Sequence, residues 1–211
     1  MIKKKKIFIT GGAGFIANTI IRRLVQNNEI VIFDNFHRDT FSGSDLKDNH
    51  NIKVIKGDVL DYEHVKKSME GSDIVVHAAG IAGIDTVINN PVLTGRVNVI
   101  GTANVLEAAK ENNVTDRLID FSTSEVFGSM AFRSSETDSA VAGSAGEARW
   151  TYAVSKLAGE HLAHAYHKQF GLPCVTVRPF NVYGPGQTGG GAIQMFIKKA
   201  LNNETISIQG D

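Results

Sequence analysis

Short apolar runs rich in β-branched residues take turns along this chain with stretches whose apolar residues recur every three or four positions. Lys6–Thr10 is a first strand-like run, and residues 15–26 follow with Ile16, Ile20 and Leu24 on one helical face. Residues 29–33 form a second run ending at Asp34, residues 35–51 are polar and read as loop, and Ile52–Lys56 is a third strand. The pattern then predicts a short helix over 61–70 with Asp61 as its N-cap, a strand over 73–78, and a long helix over 91–112 with Gly101 inside it. Arg117–Phe121 is a fifth strand, 129–149 a long loop of small and polar residues, and 151–170 a long helix closed by Gly171, with Pro173 beyond. A sixth strand over 174–178, a helix over Ala192–Leu201 and a last short strand over 205–208 complete the series. Strands apolar on both sides, alternating with helices, predict an α/β fold: a Rossmann-type doubly wound parallel sheet covered on both faces.

Composition narrows the function classes. The 22 basic and 22 acidic residues cancel, which speaks against nucleic acid as a partner. No apolar run is long enough for a membrane span, and the basic start before Ile7 lacks the apolar stretch of a signal peptide. The single cysteine, Cys174, forms no internal disulfide and suits a reducing compartment, so a cytoplasmic location is expected; the residue itself is expected to be buried and inert. His161, His164 and His167 sit on one helix and read as a surface or dimer face; no metal site is expected.

The 21 glycines are clustered rather than spread. Gly11, Gly12 and Gly14 lie between the first strand and the first helix, followed by Phe15 and Ile16. Glycine there permits a tight turn and close approach of a pyrophosphate, which the free N–H groups of the helix start attract. Asp34 lies 20 residues beyond Gly14, with Asn35 beside it, the spacing for a carboxylate on the adenine ribose hydroxyls. An acid there favours NAD over NADP, although Arg38 close by works against that preference.

A second constellation lies further along. Tyr152 and Lys156 are four residues apart, hence on one helix face. A phenol with pKa about 10 needs about three units of help to ionise at neutral pH, and a neighbouring ammonium has the right sign. Ser122, Thr123, Ser124 and Glu125 follow the fifth strand, where a hydroxyl can share a substrate oxygen with Tyr152.

The loop Thr10-Gly-Gly-Ala-Gly14-Phe-Ile-Ala17 resembles that of the extended short-chain dehydrogenase/reductase family, which includes NAD-dependent nucleotide-sugar epimerases and dehydratases. Ala17 replaces the usual last glycine. Tyr152-Ala-Val-Ser-Lys156, the segment NVIGTANVLEAA from Asn98, and Arg178-Pro-Phe-Asn181-Val-Tyr-Gly-Pro185 extend the resemblance. It implies Asp58 and Val59 beside the adenine, and Ala78 and Ala79 near the nicotinamide, with Asn98 also on the cofactor side. It makes Thr123, Tyr152 and Lys156 the catalytic set, with Lys156 also on the nicotinamide ribose, and Asn181 a ligand of the substrate diphosphate. Phe127 stands where the family commonly has Tyr. Ser124-Glu125 resembles the pair of GDP-mannose dehydratases and UDP-glucuronate decarboxylases, and the residues before Tyr152 resemble the latter. Oxidation of a sugar C4 hydroxyl followed by dehydration or decarboxylation, with Glu125 as base, is therefore expected. A 4-epimerase and a non-catalytic NAD-binding module are the alternatives. The resemblance also implies a homodimer through the 91–112 and 151–170 helices. Residues 1–183 are expected to form the NAD-binding domain, and 184–211 a hinge and the beginning of a truncated substrate domain.

Overall fold

The structure, a computed structural model, describes residues 2–129, 132–188 and 191–208. Six parallel strands form one sheet: β1 Lys6–Thr10, β2 Glu29–Asp34, β3 Ile52–Lys56, β4 Ile74–His77, β5 Arg117–Phe121 and β6 Cys174–Val177. Their spatial order, β3-β2-β1-β4-β5-β6, reverses direction between β1 and β4. Such a switch point opens a crevice at the carboxyl ends of the strands, where ligands bind in doubly wound sheets.

Alternation along each strand divides the side chains between two faces. One face holds Ile7, Ile9, Ile30, Ile32, Ile74 and Val76, covered by Ala17, Ile21 and Val25 of the α1 region (α1 Phe15–Leu24) and by Phe41 and Leu46. The other holds Phe8, Val31, Phe33, Val75 and Leu118 under α2 (Tyr62–Met69), α5 (Thr102–Glu111) and α6 (Ala148–Phe170). This second face is not apolar throughout, contrary to the expectation for these strands. At the last level before the carboxyl ends, Thr10 pairs in register with His77, His77 with Asp120, and Asp120 with Thr176.

Most predicted elements form, with altered ends. The first helix stops at Leu24, two residues early, and α6 starts at Ala148, three early. Asp61 caps α2 by accepting from the His64 N–H. Gly171 ends α6 in the left-handed region at φ 72°, open to glycine without steric cost. The predicted 91–112 helix is a rod in three parts: α4 Pro91–Gly95, a π-helical turn Arg96–Gly101, and α5. Gly101 leaves room there for Val59, since an added Cβ would lie 2.6 Å from Val59 Cγ2. A short helix α3, Ile84–Asn89, and a 3-10 turn, Ser124–Phe127, were not predicted. Residues 205–208 form no strand, because nothing in the described sheet pairs with them. Helix α7, Ala192–Leu201, buries none of its residues.

Candidate active site

The glycine loop is shaped by its neighbours. Gly11 has φ 67°, and a Cβ added to it would lie 2.6 Å from the Ala79 backbone nitrogen, so the loop after β1 rests directly on the loop after β4. Gly14 N-caps α1 without any side-chain hydrogen bond, and no acidic residue stands in the first turn. The N–H groups at Phe15 and Ile16 therefore face the crevice end with no side chain competing for them.

Asp34, at the end of β2, accepts from the Ala13 N–H (2.9 Å) and the Phe36 N–H (2.7 Å). Each carboxylate oxygen keeps a further lone pair for a ligand. Burial raises the Asp34 pKa above its ordinary value, and the two N–H donors oppose the rise. Asn35 Oδ1 accepts from the His37 N–H (3.0 Å) within its own loop. Arg38 does not turn toward Asp34: its guanidinium donates to Ala82 O (3.0 Å) and Thr86 Oγ1 (3.1 Å), tying the loop after β2 to the start of α3. Asp58 is exposed and closes a turn by accepting from the Leu60 N–H, while Val59 is buried against Gly101. These positions lie at the carboxyl ends of neighbouring strands, as a dinucleotide requires. The residues present fit such a cofactor: a glycine cradle that any Cβ would fill, an open helix start, and a carboxylate one strand away.

Asn98 has another task. Its Oδ1 accepts from the Ile81 N–H (2.8 Å), and its Nδ2 donates to Ile81 O (3.1 Å) and Ser155 Oγ (3.0 Å). With these groups engaged, Asn98 fastens the loop after β4 to α6. Ser155 in turn donates to Tyr152 O (2.8 Å).

A directed row of hydrogen bonds supports this arrangement. Thr102 Oγ1 donates to Asn98 O (2.6 Å), so it accepts from His77 Nε2 (3.0 Å). His77 Nδ1 is then the acceptor for Thr10 Oγ1 (2.7 Å), which itself accepts from the Ala79 N–H (3.3 Å). His77 is fully buried, and burial together with the Lys156 charge pushes its pKa down to about 3; it is neutral.

On α6, Tyr152 and Lys156 share one face as expected. Lys156 is only 6% exposed, and its Nζ would stand 3.2 Å from a Cβ built on Gly80. The Tyr152 phenol is raised above its ordinary pKa mainly by burial and further by the Glu125 charge, while a hydrogen bond with Thr123 pulls it down. The phenol is thus protonated at neutral pH until further positive charge arrives. Thr123 is buried and caps the 3-10 turn that presents Ser124 and the exposed Glu125. The Ser124 N–H donates to Pro179 O (3.0 Å), linking this turn to the loop after β6. Asn181 is exposed on that loop, and Gly184 approaches Phe15 of the glycine loop.

The structure brings together residues that the sequence left apart. Arg178 pairs with Glu160 through Nε–Oε1 (2.9 Å) and Nη2–Oε2 (2.7 Å), and its guanidinium lies 4.7 Å from the Phe127 ring centroid. Phe127 stacks on Phe180, so the ring at this position anchors the loop that carries Asn181. Polar residues at the strand ends, Thr10, His77 and Asp120, were the sequence signal for the buried row. Cys174 lies in β6 but is only partly buried; burial raises its thiol pKa to about 11, which makes it a poor nucleophile. His161, His164 and His167 are exposed, and the latter two line a shallow cleft with Glu160 and Thr176. No helix among the described residues is long and apolar enough to cross a membrane.

Comparison with known proteins agrees with this geometry. The chain is 35% identical to UDP-N-acetyl-alpha-D-glucosaminuronate decarboxylase of Bacillus cytotoxicus, over 99% of this chain and 65% of that protein. The chain therefore spans slightly less than two thirds of that relative's length. The fold superposes with a TM-score of 0.90 on UDP-N-acetylglucosamine 4-epimerase from Methanobrevibacter ruminantium M1, solved with UDP-N-acetylmuramic acid, at 29% identity over 100% of this chain and 67% of the other. UDP-glucuronic acid 4-epimerase from Bacillus cereus, solved with UDP-glucuronic acid and NAD, gives a TM-score of 0.86 at 33% identity, over 98% of this chain and 66% of that one. A family model matches residues 7–211, nearly the whole sequence, and by that match the chain belongs to the NAD-dependent epimerase/dehydratase family.

Proposed function

We propose that this chain carries the catalytic and NAD-binding part of an enzyme that oxidises the C4 hydroxyl of a nucleotide-activated sugar and then dehydrates or decarboxylates the 4-keto product. The observation that carries this reading is the meeting of Thr123, Tyr152 and Lys156 at the carboxyl edge of the sheet, with Glu125 close enough to act on the Tyr152 charge. NAD would be held by Gly11, Gly14, Phe15 and Ile16 at the pyrophosphate, by Asp34 and Asn35 at the ribose, by Asp58 and Val59 at the adenine, and by Ala78, Ala79, Tyr152 and Lys156 around the nicotinamide. Asn98 would act there by fixing the Ile81 loop. When bound, NAD supplies the hydride acceptor and a positive ring.

Each side chain then has a definite task. Tyr152 takes the proton of the C4 hydroxyl once positive charge favours its phenolate. Thr123 orients the same oxygen. The resulting 4-keto group acidifies the C5 hydrogen. Glu125 would remove that proton and pass it to the C6 hydroxyl, which leaves as water. The hydride taken from C4 would then return to C6 with a proton to C5, a net loss of one water. In a uronic acid, the 4-keto group accepts the electron pair as the C5 carboxylate leaves as carbon dioxide. Ser124 and Asn181 would contact the sugar and its diphosphate.

Likeness to the Bacillus cereus 4-epimerase favours a second reading, return of hydride to the opposite face of C4 without loss of mass. Residues 1–183 make the NAD-binding unit in this proposal, and 184–211 lead as a hinge into a substrate-binding part. Helix α7, with Ile193, Met195, Ile197 and Leu201 exposed, supports that assignment. Ile88 on α3, Val92, Leu93 and Ile100 along the rod, and Val154 on α6 are also exposed, which supports a homodimer through the rod and α6. The zero net charge and protonated thiol are compatible with a cytoplasmic place.

Mass spectrometry of products from a panel of nucleotide sugars with NAD tests the reaction. A loss of 18 Da supports dehydration, a loss of 44 Da decarboxylation with the hydride returned to C4, a loss of 46 Da decarboxylation that stops at the 4-keto sugar, and an altered sugar of unchanged mass epimerisation. NADH binding with no turnover of any sugar leaves only a dinucleotide-binding module.

A further inference from the structure

Among the described residues, Asp120 is the only buried carboxylate and Lys156 the only buried amine. Asp120 is 2% exposed on β5, a strand flanked by β4 and β6. It belongs to the polar register row, yet it is bonded differently from its neighbours. Thr10 and His77 are engaged by the directed hydrogen bonds described above. Asp120 Oδ1 has no hydrogen-bond partner among the described residues, and neither has Ser122 Oγ, two positions on. The other oxygen, Oδ2, lies under α6, where a Cβ added to Gly159 would stand 3.8 Å from it. Gly159 is three residues beyond Lys156 on the same helix, so a side chain there would come between β5 and the underside of that turn.

A carboxylate in such a place is costly without an opposite charge. The facing elements offer few candidates. His77 on β4 is neutral, Cys174 on β6 is a protonated thiol, and Thr102 and Asn98 on the rod are uncharged. Tyr152 is a protonated phenol, and Glu125 and Glu160 carry the wrong sign, Glu160 being held by Arg178. Lys156 remains.

We propose that Asp120, which makes no direct ion pair among the described residues, is the buried counter-charge of Lys156, keeping the amine charged from beneath the next turn of α6. Its bearing on catalysis rests on the role given to Lys156 above; the charge coupling itself does not. Burial drives the Lys156 pKa down and Asp120 opposes it, while Lys156 opposes the rise that burial imposes on Asp120. Without the carboxylate, burial acts on the amine alone.

The test is the titration of Lys156 in the ligand-free chain, followed by NMR of 13Cε-labelled lysines and assigned with Lys156→Met. Asp120→Asn is expected to lower the Lys156 midpoint by at least about one pH unit and leave the exposed lysines unmoved. Asp120→Thr keeps a polar side chain suited to a strand and is expected to give the same result should the amide fail to fold. An unchanged midpoint overturns the coupling. NADH binding to the same proteins separates the two readings. A lowered midpoint in a chain that binds no NADH rejects the dinucleotide role and upholds the coupling. NADH binding with an unmoved midpoint does the reverse.

Discussion

The two faces of the sheet are built from the same strands, yet they differ where they reach the crevice. Under α1, the inward residues from Ile7 to Val76 form a dry layer, broken at the end of β2 by Asp34, which follows Ile30 and Ile32 on that face. Under α5 and α6, apolar packing by Phe8, Val31, Val75 and Leu118 gives way at the last level to Thr10, His77, Asp120 and Thr176. What each covering helix brings to the crevice accounts for the difference. Helix α1 brings backbone N–H groups, which need nothing beneath them. Helix α6 brings a phenol and an ammonium, and a charge taken out of water needs partners below. A dry layer suffices beneath a backbone contribution, and polar residues accompany a side-chain contribution, Asp34 on the α1 face included.

Four substitutions would sharpen or break this contrast. Tyr152→Phe should cut turnover of the accepted nucleotide sugar by about 10²–10⁴-fold while leaving thermal unfolding unchanged; full turnover would remove Tyr152 from the chemistry. Ile21→Ala, on the dry face, should cost about 2–5 kcal/mol of stability by leaving a cavity, seen as a lowered denaturant midpoint. NADH affinity of the folded fraction should be retained, and its loss would show that the dry face also shapes the site. Gly11→Ala should cost about 1–3 kcal/mol from its positive φ, and the contact with Ala79 should weaken NADH binding, measured by ligand fluorescence, at least about tenfold. The smallest effect concerns pH. His77 titrates near 3 when folded and near 6.5 when unfolded, so the unfolded chain binds the proton first. The stability carried by neutral His77 is whole above pH 6.5 and declines toward pH 3, by up to about 1.4 kcal/mol per pH unit. Denaturation at pH 7 and pH 5 should show this slope, and His77→Asn should flatten it.

Much of the fold was legible because the strands are short apolar runs between glycines and caps. Ile52–Lys56 and Arg117–Phe121 form as predicted. Helix α3 escaped because it is only six residues long and begins at a glycine with no side-chain cap. The π-helical turn escaped because an inserted residue leaves no trace in a helical pattern of small residues. Positions 205–208 have the composition of a strand, but pairing decides strands and composition does not. In the site, the glycine loop and the Tyr152–Lys156 spacing are local and could be read directly. The Thr10–His77–Asp120 row is not local: it exists only through the register of β1, β4 and β5, which the sequence does not display. Arg38 was misread for a related reason, since proximity to Asp34 in sequence says nothing of Ala82, 44 residues away.

The directed hydrogen bonds from Thr10 to Asn98 have a consequence for proton traffic. Each donor in the row already faces its acceptor, and the last acceptor is a backbone carbonyl, which cannot hand a proton onward. In the proposed reaction, a proton taken up at Tyr152 would find no relay in this row. The buried row is a brace and not a wire: it holds β1, β4 and the rod together and ends on a carbonyl.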